Sequence, residues 1–136
     1  MNPNNCYLAY VLTEDCRQEL LSFYPPRGGK KAVCHHVTIS YNLNPERLDY
    51  YQQLIASDPV LEVHTIICTD IIDFFRVKIN GKHYKTDQSM THLTHSKLES
   101  AKNRDSNRVI LGEYLGNVYR YSAGGILSGE FKLLPK

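Results

Sequence analysis

Apolar residues along this chain come in short runs punctuated by turn formers, and the spacing inside each run separates strand from helix. Residues 6–12, CYLAYVL, are almost continuously apolar and read as a strand. Thr13 followed by Glu14 and Asp15 marks a helix start with acids in its first turn, and Leu20, Leu21 and Phe23 pack that helix until Pro25 and Pro26 end it. The stretch 25–31, PPRGGKK, reads as a flexible basic loop and 32–41 as a strand. Asn44 and Pro45 fit an N-cap and first helical residue, after which Leu48, Tyr51, Leu54 and Ile55 recur at helical spacing until Asp58 and Pro59 break it. Residues 60–68 and 72–79 are β-branched and aromatic and read as strands. Asn80-Gly81 is the strongest turn signal, because a tight hairpin of the mirror-image type needs positive φ at both central positions. An antiparallel return over 83–86, a strand over 90–96, a short helix over 96–104, a strand over 118–122, a bend at 123–125 and a closing strand over 130–134 complete the reading. Strands cluster instead of alternating with helices, so the expected fold is α+β, mostly antiparallel, in one domain over 1–136.

Composition narrows the classes of partner. A chain of 136 residues that is 42% hydrophobic and 22% charged has the apolar material for a core and is not a disordered segment. A net charge of +2 with a pI near 8.3 is far from the polybasic stripe that holds long duplex nucleic acid, and suits a small phosphorylated ligand. Cys6, Cys16, Cys34 and Cys68 form no CxxC pair and sit beside apolar stretches, as buried thiols do, so neither a disulfide framework nor a zinc knuckle is expected. The opening MNPNNCYLAYVLTED has no basic leader followed by a long apolar core, and no later run is long enough to span a bilayer; a soluble, cytoplasmic protein is expected.

The pattern His-x-Thr-x-Ser occurs twice, as His36-Val37-Thr38-Ile39-Ser40 and His92-Leu93-Thr94-His95-Ser96. Side chains alternate along a strand, so each copy presents an imidazole and two hydroxyls on one face while Val37 and Ile39, or Leu93 and His95, anchor the other. A lone strand histidine is more often a surface or hydrogen-bonded residue than a catalyst, and a strand-end serine often only satisfies local backbone. The repetition changes the weight. Two imidazoles on neighbouring strands supply a general base and a general acid near neutrality, and Thr38 and Thr94, with Ser40 and Ser96, supply hydroxyls for the non-bridging oxygens of a phosphate. Which histidine plays which part is open. His35 and His95 fall out of line with their neighbours and read as structural, and His64 and His83 as sheet-edge or surface residues. A metal would need His92 and His95 on one helix face, whereas the flanking threonines favour strand; no metal and no cofactor are expected. Tyr10 and Tyr41 are candidates for stacking on a base, and Arg27, Lys30 and Lys31 for closing over phosphates, although a solvated charge run is the commoner role.

The paired HxT motifs, with the opening YLAYVLTEDCRQELL, the proline-bearing loop, HHVTISYNL and MTHLTHS, resemble the 2H phosphoesterase superfamily over nearly the whole chain, in particular the small members of phages and RNA-repair systems. The resemblance implies two lobes related by an approximate twofold, each giving one HxT strand to a central cleft, with His36 and His92 as acid/base pair and Thr38 and Thr94 on the phosphate. His95 stands where that family usually has an apolar residue, which bears on the packing behind the strand. The implied activity is hydrolysis of a cyclic phosphodiester, foremost a nucleotide or RNA-end 2',3'-cyclic phosphate. A phage enzyme destroying 3',5'-linked cyclic oligonucleotide signals in the host cytoplasm uses the same residues. A module that binds a cyclic phosphate or an RNA end without cutting it is the alternative of another class.

Overall fold

The computed structural model describes residues 5–136, so the part of the opening segment over 1–4 lies outside the described residues. Its strands are β1 (Cys6–Leu12), β2 (Lys31–Ala32), β3 (His36–Ser40), β4 (Leu61–Cys68), β5 (Ile72–Ile79), β6 (Lys82–His83), β7 (His92–Lys97), β8 (Tyr119–Ile126) and β9 (Gly129–Pro135). The helices are α1 (Glu14–Phe23), α2 (Leu48–Ala56) and α3 (Asp105–Ile110), with a 3-10 turn over Pro45–Arg47 leading into α2. Thr13 caps α1 by accepting from the Cys16 amide, and the Asn44 side chain accepts from the Glu46 amide before the 3-10 turn. Asn80 and Gly81 take φ of 51° and 75° between β5 and β6, as the turn chemistry requires.

All pairings are antiparallel, in the order β8-β4-β5-β7-β3-β1-β9, with β2 added to β7 and β6 to β5. The sheet consists of two lobes, β9-β1-β3 and β7-β5-β4-β8, joined through the pairing of Val37 with Leu93. An antiparallel pair has a local twofold axis, and here it relates β3 to β7, β1 to β5 and β9 to β4. One face is covered by α1 and α2, whose Leu20 and Tyr51 join Val37, Leu93, Phe75, Val77 and Val63 in the main core. The other face carries α3 at one end only, over the smaller cluster of Ile67, Phe74 and Val109. What remains open beside α3 is the cleft.

Several elements depart from the sequence reading. The strand expected over 32–41 is interrupted at Cys34, whose φ of 45° breaks it into β2 and β3. The helix expected over 96–104 forms later, at Asp105–Ile110, because β7 continues to Lys97 and the Asp105 carboxylate accepts from the Lys102 amide just ahead of the helix. The bend expected at 123–125 is absorbed into β8, where Gly125 pairs with Val63 beside a register shift. No disulfide forms among the described residues, and burial pushes the Cys34 thiol up to about 12, which keeps it inert as a nucleophile. No described helix is long and apolar enough to cross a membrane.

Candidate active site

Val37 faces Leu93 across the lobe junction with both side chains in the core, so the residues flanking each point to the opposite, open face. That register sets His36 beside Thr94 and Thr38 beside His92, with the two histidines on a diagonal, their backbones roughly 7–8 Å apart by strand geometry. All four line one cavity of about 460 Å³, large enough for a nucleotide. The first motif positions, His36, Thr38, His92 and Thr94, are therefore brought together from sites more than fifty residues apart in the chain.

The serines are not part of this cluster. Between Thr38 and Ser40 the pairing with β1 slips, Ala9 facing Thr38 but Leu8 facing Ser40; between Thr94 and Ser96 the pairing with β5 slips in the same way, Phe74 facing Thr94 but Asp73 facing Ser96. Ile39 and His95 are the extra residues, and each bulge breaks the alternation that would have kept the serine on the cleft face. Ser40 is buried, donating to the Asn42 carbonyl and accepting from the Tyr51 hydroxyl, while the Ser96 hydroxyl pairs with Nδ1 of His95 at 2.7 Å. The expectation that both serines reach the phosphate is thus corrected.

Strand parity likewise corrects Tyr10. Its ring is buried in the main core against Phe131 and its hydroxyl donates to the Leu127 carbonyl, so no base can stack on it. Tyr7 sits three residues earlier, on the cleft face with Ala9, and lines the cavity. Its ring lies 5.5 Å from that of Tyr41, which does line the cavity as expected, and its hydroxyl is 3.2 Å from Nε2 of His36. The Asp87 carboxylate accepts from the amides of Tyr41 and Asn42 and holds this corner in place. Tyr7 was detectable by counting parity from His36 through the β1 pairing, but only once the partner strand was known. For a nucleotide in this cavity, Tyr7→Ala is expected to weaken binding by about 1–3 kcal/mol through lost stacking, read as a rise in Kd, whereas Tyr10→Phe should leave Kd unchanged. Equal effects from the two substitutions would contradict this placement.

The basic loop does not contribute cations to the cavity. Lys30 is buried and paired with Asp73 at 3.2 Å, and neither Arg27 nor Lys31 lines the cleft. The cations at the mouth are Arg104, just before α3, and Lys136, whose ammonium lies 4.6 Å above the Tyr41 ring. Polar side chains of Thr86, Gln88, Asn103 and Asn107 complete the wall. Sequence reading missed these because they come from loops and the chain end, with no periodicity to mark them.

The two imidazoles are held differently. Nδ1–H of His92 donates to the Met90 carbonyl at 2.8 Å, leaving Nε2 of the neutral ring as an acceptor. Burial pulls its pKa below the ordinary value, Met90 partly opposes that, and the Arg76 charge adds to it. His36 has Nδ1 at 2.8 Å from Nδ1 of His35, one of the two carrying the shared proton, and Nε2 toward Tyr7. Burial, then the neighbouring His35 and His92, push His36 down to about 4. Both shifts favour the neutral rings at pH 7, and an anion between them would raise both. His35, exposed but bonded to His36, orients that ring; His95 is buried behind the strand, its Nε2–H donating to the Tyr24 carbonyl and its Nδ1 accepting from the Ser96 hydroxyl, which answers the packing question raised by a polar residue there. His64 and His83 pack against one another away from the cavity. Among the described residues no group of three or more His, Cys, Asp or Glu side chains is arranged to hold a metal ion.

No family model matches the sequence, and comparison with curated proteins returns no match. Among solved structures, the chain is similar to a fungal RNA kinase at a TM-score of 0.66 and 9% identity. The likeness covers 100% of this chain and 46% of the kinase chain, so the present protein spans less than half of that relative's length. At this identity the likeness speaks for architecture: the chain has a two-lobed, mostly antiparallel α+β fold with its cleft at the lobe junction.

Proposed function

We propose that this chain is a phosphodiesterase of the 2H phosphoesterase type that hydrolyses a cyclic phosphodiester, foremost a 2',3'-cyclic phosphate on a nucleotide or RNA end, by two-histidine acid/base chemistry without a metal. The observation that carries the reading is the diagonal pair of imidazoles across one cavity, each flanked by a threonine of the opposite strand. The likeness to a fungal RNA kinase supports an RNA end as substrate.

The geometry favours a division of labour. His92, with Nδ1 committed to Met90, offers Nε2 to an attacking water and passes to an imidazolium that the same carbonyl stabilises. Water oxygen bonds to phosphorus, its proton goes to His92, the bond from phosphorus to one ribose oxygen breaks, and a protonated His36 gives its proton to that oxygen. The product is a phosphomonoester with one free ribose hydroxyl. Thr38 and Thr94 donate to the non-bridging oxygens, where charge is held as phosphorus becomes five-coordinate. Tyr7 and Tyr41, whose rings lie together on the cavity wall, take the base in this reading.

Incubation with a panel of 2',3'-cyclic and 3',5'-cyclic mononucleotides and cyclic oligonucleotides, in chelator, tests this. Turnover of the 2',3'-cyclic substrates with chelator present is expected. Tight binding without turnover would make the chain a binding module, selective turnover of cyclic oligonucleotides would move the substrate class, and restoration only by added zinc or manganese would end the metal-free account.

A further inference from the structure

The face that carries the imidazoles continues past His92. Arg76 of β5 lies directly opposite His92, Thr65 of β4 opposite Arg76, and Ser122 of β8 opposite Thr65. Residues paired in this way share a face, and two positions along β8 from Ser122 the same face carries Arg120, opposite Ile67. The alternation is secured independently, because Ile67, Phe74 and Val118 meet α3 on this side. Further along, Lys78 pairs with His83, and His64 packs edge-on against His83 at 5.3 Å; Glu62 stands opposite Lys78, so the cationic track lies at Arg76 and Arg120.

Arg76 and Arg120 enter no ion pair among the described residues. Nε of Arg76 is buried with no hydrogen-bond partner, and its guanidinium is perturbed by burial first and by the charge of Arg120 second. Arg76 is partly desolvated on the same face as a second guanidinium, an arrangement that a nearby anion relieves. β8 lies two strands beyond β5, roughly 10 Å away at ordinary strand spacing, so the cations step outward from the reacting centre across the open sheet.

We propose that the protein takes the end of a single-stranded oligonucleotide, with the reacting phosphate between His36 and His92 and the next backbone phosphates over Arg76 and Arg120. This rests on the phosphodiesterase reading and specifies its substrate as a strand terminus in place of a free nucleotide or a closed ring. The track is short, serving one or two phosphates, which agrees with a net charge of only +2.

Calorimetric titration of the full chain compares a 3'-phosphorylated pentaribonucleotide, a 3'-mononucleotide and a cyclic trinucleotide over a series of salt concentrations. The pentamer is expected to bind on the order of tenfold tighter than the mononucleotide at low salt, with a steeper salt dependence by about 0.7 in log–log slope for each added phosphate contact. Arg120→Gln, at an exposed position on the sheet edge, should remove about 0.7 of that slope and most of the pentamer's advantage. Equal affinity for pentamer and mononucleotide, or an Arg120→Gln slope identical to the wild type, overturns the track. So does a cyclic trinucleotide that binds tighter than the pentamer. Turnover of a 2',3'-cyclic mononucleotide is scored separately: its absence defeats the enzymatic reading, while the pentamer difference decides the track on its own.

Discussion

His36→Ala and His92→Ala are each expected to lose on the order of 10²–10⁴-fold in kcat/KM on a 2',3'-cyclic nucleotide, and the double variant little more than the worse single one. In the proposed mechanism the two rings act on one proton circuit, so removing either breaks it and their effects do not add. The pH dependence carries a sharper signature. Burial pushes His36 down to about 4 and pulls His92 below its ordinary value. The proposed reactive form has one ring neutral and one protonated, a state that two lowered imidazoles favour below the ordinary value. The bell of kcat/KM, which reports the free enzyme, is therefore centred on the acid side of 6.5 and falls as pH rises toward neutrality. A bound phosphodiester anion favours the protonated form of both rings, so the bell of kcat is displaced to higher pH than that of kcat/KM. Coincident profiles centred above pH 7 would contradict the buried-pair description, and a His36→Ala variant of full activity would remove the mechanism.

The centre of the cleft was legible because its determinants are local. Two copies of HxT in runs of β-branched residues fix which side chains share a face, and the apolar Val37 and Leu93 between them state which face is buried. Strand pairing then needs only to bring the two runs together. The serines were misplaced because a bulge is a property of two strands: nothing in Ile39 or His95 alone announces that the partner strand spends one residue where β3 or β7 spends two. Tyr10 and Tyr7 show the same limit from the other side. Both are aromatic residues of one apolar strand, and the choice between core and cleft depends on the register with β3. The wall built by Thr86, Gln88, Asn103, Arg104 and Asn107 was invisible for a different reason, since loop residues carry no period that the eye or a hydrophobicity count can detect.

The basic loop supplies the largest stability effect. PPRGGKK has the composition of a solvated turn, yet Lys30 folds inward to Asp73, their side chains only 8% and 6% exposed. Asp73 also accepts from the Thr69 amide and lies opposite Ser96, at the bulge that turns His95 away from the cleft. Asp73→Ala strands the buried Lys30 ammonium, while the Thr69 amide keeps the Ile72 carbonyl as acceptor; the substitution is expected to cost about 3–5 kcal/mol, a large part of the 5–15 kcal/mol typical of a folded domain. Denaturant unfolding should show this as a lower midpoint at unchanged slope. Lys30→Met in the same background removes the unpaired charge, and the double variant should recover most of the loss, as apolar replacement of a buried pair often does. Additive single effects, or an Asp73→Ala midpoint equal to the wild type, would place the pair at the solvent boundary and leave the register of the second motif to hydrophobic packing alone.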